Sequence, residues 1–297
     1  MIETRLNQWI AAMDVALGWQ ESHAMTQLAQ VVLLRSPKNL AVYERMIQAA
    51  WQLAQWQEGD EWARRLLQAD PGNPVAWQMT ARAEEALGNH ARAYAIWQRA
   101  FAYQPYSSEM RQGLYRTVTS TQSEISSTEQ IPTEQIPTEQ VSAKPVTAGV
   151  LFRLDNMCLA QLYLQSHQWA KATQLYSQLI KQNPQRVDFQ VSLMVSLWQR
   201  DTQQGSILIQ DDIQNNEAYR WARHLVQRHQ NLLAAWIVLD NIGDENDQAL
   251  AKNPLESMDP TRQFMMDRFH ITLAQNPVSI QVNEDELALL YAFSDGV

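Results

Sequence analysis

The chain has 297 residues, of which 45% are hydrophobic and 19% are charged, so it can bury a large core in one extended fold or in two domains. It contains only nine glycines and eleven prolines, and runs of Val, Ile and Thr are scarce, which favours helix over sheet. The formal net charge of −9, without a cluster of Lys and Arg, excludes a basic surface for nucleic acid and disfavours an anionic membrane.

The N-terminal part of the chain carries a repeat with a period of 34 residues. One series of landmarks is formed by Pro37, Pro71 and Pro105. A second series with the same spacing is formed by Trp9, Tyr43 and Trp77. Two independent series that share a period indicate a tandem repeat, and each block divides into two helices of about a dozen residues.

The second helix of each block carries small or apolar residues at steps of four and three before the proline. The sets are Met25, Ala29 and Val32; Gly59, Ala63 and Leu66; and Ala93, Trp97 and Ala100. These steps predict one packed helix face, the small residues allow two helices to approach closely, and the proline ends the helix. Gly88 marks the turn between the two helices of its block. We therefore assign residues 1–119 to an N-terminal array, with residues 107–119 as a capping helix.

Residues 120–148 differ sharply in composition from the array before them. They consist largely of Ser, Thr, Glu, Gln and Pro, and they contain the copies TEQIP, TEQIP and TEQV. Without an aromatic residue or a helical stripe, such a segment cannot bury enough surface to offset its ordering entropy. We expect a disordered linker that spans on the order of 30 Å.

A second, degenerate array is predicted over residues 149–243. Its landmarks are Ala172, Tyr176, Leu179 and Pro184, and then Ala218, Ala222, Leu225, Gln230 and Trp236. The repeat copy that starts near Val187 is longer than the others, which predicts a protruding loop over 201–216. Residues 206–209 in this loop are apolar and either pack on the array or contact a partner, and packing is favoured. Residues 244–297 are assigned to a C-terminal helical cap or partner-specific tail, with helices over 260–276 and 284–293.

Catalytic or metal-binding constellations are not evident in the sequence. His224 and His229 are five residues apart, which places them on different helix faces, unlike a zinc-binding pair. There is no glycine-rich phosphate loop and no Gly-x-Ser-x-Gly motif. The single cysteine, Cys158, lies in an apolar helical run and is expected to be buried. We expect no enzymatic activity, no cofactor and no metal site.

With these landmarks the chain resembles the tetratricopeptide-repeat family. That family's pattern is an early aromatic residue, a mid-repeat Ala, an aromatic residue four positions on and a closing Pro. The matching residues are Trp77, Ala93, Trp97 and Pro105 in one block, and Ala160, Tyr163, Ala172, Tyr176 and Pro184 in another. Glu84, Arg111 and Gln190 depart from the pattern at aromatic positions. The resemblance, over roughly residues 6–119 and 150–243, implies an all-α solenoid of helix–turn–helix repeats in two arrays separated by the linker.

The resemblance also implies where a partner binds. In this family the first helix of each repeat lines a concave groove that takes peptides from partner proteins. Helical phase places these candidates in the groove: Glu44, Gln48, Trp51, Gln78, Arg82, Glu85, Gln112 and Arg116. The Lys and Asn with which some members grip a terminal carboxylate are not reproduced. The mixed lining suits a polar peptide with an aromatic or apolar anchor.

Two functions from different classes remain open at this point. The first is a non-catalytic protein–protein interaction scaffold that binds proteins or peptides. The alternative is a regulatory sensor that binds a small peptide or metabolite and modulates a separate effector. Residues 1–6 show no basic segment followed by an apolar core, and no stretch approaches the roughly 20 apolar residues of a membrane span, so we expect a cytoplasmic protein without membrane insertion. The oligomeric state is left open.

Overall fold

The fold is a succession of helical hairpins. The computed structural model describes residues 2–104, 107–128, 156–203, 210–262, 264 and 279–282. Within these ranges the chain forms thirteen α-helices, and each packs mainly on its neighbours along the sequence. The all-α solenoid predicted from the sequence is therefore confirmed.

The helices divide into an N-terminal and a C-terminal array. The N-terminal array contains α1 (Leu6–Gly18), α2 (Ser22–Arg35), α3 (Leu40–Gln52), α4 (Trp56–Ala69), α5 (Pro74–Ala86), α6 (His90–Tyr103) and α7 (Ser108–Thr128). The C-terminal array contains α8 (Asn156–Gln165), α9 (Trp169–Gln182), α10 (Val187–Gln203), α11 (Glu217–Arg228), α12 (Leu233–Ile242) and α13 (Glu245–Met258). A 3₁₀ helix, Gln210–Asn215, precedes α11.

The turn inside a hairpin has the same conformation in four places. One residue in each turn has a positive φ angle: Gln20, Ala54, Gly88 and His167. The following N–H then donates to a carbonyl five residues back, as from Asn89 to Glu84 at 2.9 Å. This bond satisfies a carbonyl that the helix end leaves without an intrahelical partner. The turn predicted at Gly88 is confirmed, and its period of 34 residues is visible in the backbone.

The turn between hairpins is closed by a recurring side-chain hydrogen bond. Each repeat ends in a proline, or in Gln230 where the proline is replaced. The side chain six positions later donates a hydrogen bond to the carbonyl oxygen of this proline or glutamine. The pairs are Tyr43 to Pro37 at 2.6 Å, Trp77 to Pro71 at 2.8 Å, Gln190 to Pro184 at 2.6 Å, and Trp236 to Gln230 at 2.7 Å. Gln190, which departs from the aromatic pattern, therefore makes the same bond through its amide.

The predicted packing faces of the second helices are buried. Every member of the sets in α2, α4, α6, α9 and α11 is at most 7% exposed where it is hydrophobic, including Ala63, Trp97 and Ala222 at 0%. Gly59 shows why small residues occupy the packing faces of the second helices, since a Cβ at this position would overlap the Met79 side chain. Pro105, the third proline of the series, lies outside the described residues.

Two predicted boundaries fall differently in the structure. Helix α7 continues past residue 119 as far as Thr128, so the first part of the predicted linker is helical. Residue 243 lies in the turn between α12 and α13, which pack together as a further hairpin. After α13, the N–H of Arg262 donates to the carbonyl of Asp259 at 3.0 Å, with the same three-residue spacing as the bonds from Asn39 to Ser36 after α2 and from Asn73 to Asp70 after α4. The repeat therefore extends beyond Asp244, where its sequence landmarks fade.

The two arrays are in direct contact. At one end, the Ser36 hydroxyl donates to the Ser257 carbonyl at 2.9 Å, and Lys38 Nζ donates to Asn231 Oδ1 at 2.8 Å. At the other end, α8 packs against α6, and a single cluster of buried hydrophobic residues includes members of both arrays. The arrays thus form one packed body, a point that the sequence left open.

A short antiparallel pair of strands accompanies the helices. Strand β1 (Ile2–Arg5) pairs with β2 (Ser279–Val282), and Ile2 lies opposite Val282. Helical periodicity did not predict this pair, since each strand has only four residues. Residues 206–209 and the helix expected over 284–293 lie outside the described residues, as does most of the helix expected over 260–276.

Candidate functional site

The first helices of the N-terminal array form a continuous layer. Pairs in this layer join neighbouring helices at a separation of 31 residues. They are Asp14 with Arg45 at 2.8 Å, Gln78 with Glu109 at 2.8 Å, and Glu85 with Arg116 at 3.5 Å. These pairs bridge α1 to α3 and α5 to α7, and α3 also packs against α5. The first helices therefore share one surface, which we call the first-helix face.

A charged cluster lies on this face around the carboxylate of Glu85. The Glu85 side chain is only 8% exposed, and it accepts a hydrogen bond from the indole N–H of Trp97. Arg82 forms an ion pair with it from the preceding turn of α5, and Arg116 approaches it from α7. The three-residue spacing in α5 brings Arg82 and Glu85 to one side of the helix.

Aromatic rings hold the two guanidinium groups of the cluster. The Arg82 guanidinium lies 5.0 Å from the centroid of the Trp56 ring, and the Arg116 guanidinium lies 5.9 Å from that of Trp97. Trp51 packs edge-on against Trp56 with centroids 5.5 Å apart. Such cation–π contacts are worth roughly 0.5–1 kcal/mol at exposed sites, so they orient the arginines more than they stabilise the fold.

The cluster borders an open cavity of about 360 Å³. Its lining is Trp56, Arg82, Glu85, Ala86, His90, Arg116 and Thr117. The guanidinium groups of Arg82 and Arg116 both pair with the Glu85 carboxylate at this lining. Leu87, the residue after Ala86 in the chain, is 57% exposed. Chemically, the site offers charge-assisted hydrogen bonds to an anionic group next to an aromatic wall.

The structure brings together some of the predicted groove residues and not others. Arg82, Glu85 and Arg116 line the cavity, and Trp51 adjoins it through Trp56. The other four predicted residues lie on α3, α5 and α7 but do not line it: Glu44, Gln48, Gln78 and Gln112.

Two contributors to the cluster were missed by the sequence reasoning. Trp97 was assigned to the core; it is fully buried, yet its N–H contacts Glu85. The repeat pattern did not fix Trp56, which left it either in the core or on a binding surface, and its place just after the turn at Ala54 was the available signal. Glu84, which departs from the aromatic pattern, is buried and bonds to Asn89 and Arg92 at 2.8 and 3.1 Å.

Three further features of the described residues concern membrane spans, metal ions and the single cysteine. None of their helices is both long enough and apolar enough to cross a membrane. The same residues contain no group of three or more His, Cys, Asp or Glu side chains that could hold a metal ion. Cys158 is buried, with 4% of its surface exposed, as its apolar surroundings in the sequence predicted.

Comparisons with known proteins give a distant structural likeness. No protein-family profile and no curated protein matches the chain. Among solved structures, the chain is similar to one described as "Structure of Naa15/Naa10 bound to HypK-THB", with 12% sequence identity and a TM-score of 0.30. The match covers 99% of this chain and 40% of the other, so this chain spans less than half the length of that protein. Functional inference therefore rests on the residues of this chain.

Proposed function

We propose that the protein is a cytoplasmic, non-catalytic scaffold that binds a partner protein on the first-helix face of its N-terminal array. The observation that carries the proposal is the cluster of Arg82, Glu85 and Arg116 beside Trp56. Helical phase and the resemblance to tetratricopeptide repeats predict three of these residues, Arg82, Glu85 and Arg116, as groove residues. Their convergence on one cavity supports a site of recognition.

The cluster favours a partner segment with an acidic residue beside an apolar or aromatic one. Arginine and tryptophan are enriched among the residues that dominate binding energy at protein interfaces. Arg116 is 46% exposed and Arg82 is 33% exposed, so both guanidiniums remain accessible to a partner carboxylate. Glu85 is nearly buried and acts as the fixed counter-charge that holds both of them in place.

Affinity capture with mass spectrometry tests this proposal. The variant combines Arg82→Gln, Glu85→Gln and Arg116→Gln. Replacing all three residues avoids an unpaired carboxylate in a nearly buried position, which would destabilise the fold by itself. We expect the proteins recovered with the wild-type chain to be lost or strongly depleted with this variant, because the charged contacts are removed.

A matched control combines Arg35→Gln, Glu61→Gln and Arg228→Gln, all at exposed positions on the second helices. It makes the same change in net charge, and we expect it to recover the wild-type set of proteins. Both variants are first checked for melting temperature. Unchanged recovery with a correctly folded cluster variant would contradict the assignment of the site.

A further inference from the structure

A larger cavity lies in the C-terminal array, on different helices from the first-helix face. It has a volume of about 590 Å³ and lies between α9 and α11, with α10 beneath it. Ile180, Leu193, Leu197 and Trp221 supply its apolar lining. Cavities of roughly 300–1,000 Å³ with mostly apolar walls are typical of small-molecule sites.

The position of the cavity follows from an irregular hairpin. In the hairpins α1–α2, α3–α4, α5–α6 and α8–α9, the two helices are joined by tight turns. Helices α10 and α11 are instead joined by residues 204–216, which include the 3₁₀ helix. A tight turn would set the position of α11 relative to α10, and the longer connection removes that constraint, so α9 and α11 can stand apart.

Polar groups on α9 also face the cavity. Thr173 and Ser177 are four residues apart on one side of the helix, and both line the cavity. The hydroxyl oxygen of Thr173 is buried and has no hydrogen-bond partner within the described part of the chain. A buried hydroxyl is unfavourable unless a hydrogen bond satisfies it.

The charged residues at the rim are mainly basic. Lys181 on α9 and Arg220 on α11 line the cavity, and neither forms an ion pair among the residues that the structure describes. Glu217 is the acidic residue of this lining, and His224 packs edge-on against Trp221 at 6.1 Å. In a chain of net charge −9, two cations beside an apolar cavity, without an ion-pair partner among the described residues, favour an anion.

We propose that this cavity binds a small amphipathic carboxylate. Its apolar chain packs against Leu193, Leu197 and Trp221, and its carboxylate is held by Lys181 and Arg220. The arginine provides planar, charge-assisted hydrogen bonds to a carboxylate, and the lysine adds a point charge. This site is separate from the proposed partner site and would give the chain a ligand-responsive array.

Calorimetric titration of the full-length protein with three probes of equal chain length tests the proposal. The probes are octanoate, 1-octanol and octylamine. We expect octanoate to bind, 1-octanol to bind about tenfold more weakly, and octylamine to bind more weakly still, because a charged hydrogen bond is worth roughly 1.5–3 kcal/mol.

The variant Lys181→Gln with Arg220→Gln removes both cations without removing apolar surface from the floor. We expect it to raise the Kd for octanoate by about tenfold and to leave the Kd for 1-octanol within about twofold. The control Arg228→Gln with Lys252→Gln changes charge equally at exposed positions outside the cavity lining, and should bind octanoate like the wild type.

Three results would overturn the proposal: no octanoate binding by the wild type, equal affinity for octanoate and 1-octanol, or wild-type octanoate affinity in the Lys181 and Arg220 variant. The triple variant at Arg82, Glu85 and Arg116 should retain octanoate affinity. Failure of this site and failure of the partner site are therefore distinguishable, because each has its own variant and its own readout.

Discussion

At the residue scale, the turns explain why individual positions depart from the repeat pattern. The turn between the two helices of each hairpin contains one position that requires a positive φ angle. Gln20, Ala54 and Gly88 occupy this position at 34-residue spacing. A Cβ is unfavourable in that conformation, so only Gly88 adopts it without strain. The position six residues after the proline that ends a repeat behaves similarly. It requires a side chain that reaches a carbonyl, and Gln190 meets that need as Trp77 does.

Exchanging glycine and alanine at two equivalent turns should have opposite effects. We expect Ala54→Gly to raise the free energy of unfolding by about 1 kcal/mol, and Gly88→Ala to lower it by about the same amount. Ala54 is exposed and the space around Gly88 is open, so backbone conformation dominates both changes. Urea unfolding followed by circular dichroism measures them. Equal signs for the two variants would contradict this explanation.

At the element scale, hairpin stacking depends on a few close approaches between helices. Gly113 of α7 lies directly against the ring of Trp97 in α6, where a Cβ would overlap the indole. The Trp97 indole is fully buried and bonds to Glu85, so it has little freedom to move away. Packing of α7 and the charged cluster therefore depend on the same contact.

Substitution of this glycine should weaken both features. We expect Gly113→Ala to lower the free energy of unfolding by about 2 kcal/mol, as overpacking in a core typically does. Gly18→Ala is the matched control, because no atom outside its chain neighbours and its own helix backbone lies within 4 Å of the added Cβ, and it should be neutral or slightly stabilising. Chemical denaturation checks both. A Gly113 variant as stable as the Gly18 variant would contradict the close approach.

At the scale of the whole molecule, a buried polar joint connects the arrays. Tyr103 of α6 donates a hydrogen bond to Asp188 of α10 at 2.6 Å, and Arg186 forms an ion pair with the same carboxylate. Burial, together with the charge of Asp188, raises the pKa of the Tyr103 hydroxyl well above its usual value. Burial alone would raise the pKa of Asp188, but the hydrogen bond and charge of Arg186, together with the hydrogen bond from Tyr103, outweigh it and lower that pKa.

The joint should make stability depend on pH at both extremes. Because the folded-state pKa of Asp188 is lowered, its stabilisation is present above its unfolded value of about 3.9 and is lost as the pH falls through the folded value. Because the pKa of Tyr103 is raised, its contribution is present below about pH 10 and is lost as the pH rises further. The joint is therefore expected to be most stabilising between these limits.

Melting temperatures of the wild type and Asp188→Asn across this range test the joint. We expect the difference between them to be largest near neutral pH and to shrink as the pH falls below about 4, because the unfolded wild-type carboxylate is protonated first and the folded one only at still lower pH. Asp14→Asn, at the more exposed pair with Arg45, is the control and should change the melting temperature little. A difference for Asp188→Asn that stays constant from acid to neutral pH would contradict the role of the joint.

The sequence alone determined the helical hairpins, their period and the buried faces of the second helices. These features depend on local spacing, because residues three and four positions apart share a helix face. A proline, or a residue in the left-handed conformation, then ends the helix. Helical phase also placed Arg82, Glu85 and Arg116 on one surface. Only the tertiary structure decided that Trp97 and Trp56 complete that cluster, that α13 continues the repeat, and that the arrays touch. Tyr103 and Asp188 are 85 residues apart and belong to no shared period, so their contact arises from packing between arrays and not from local pattern.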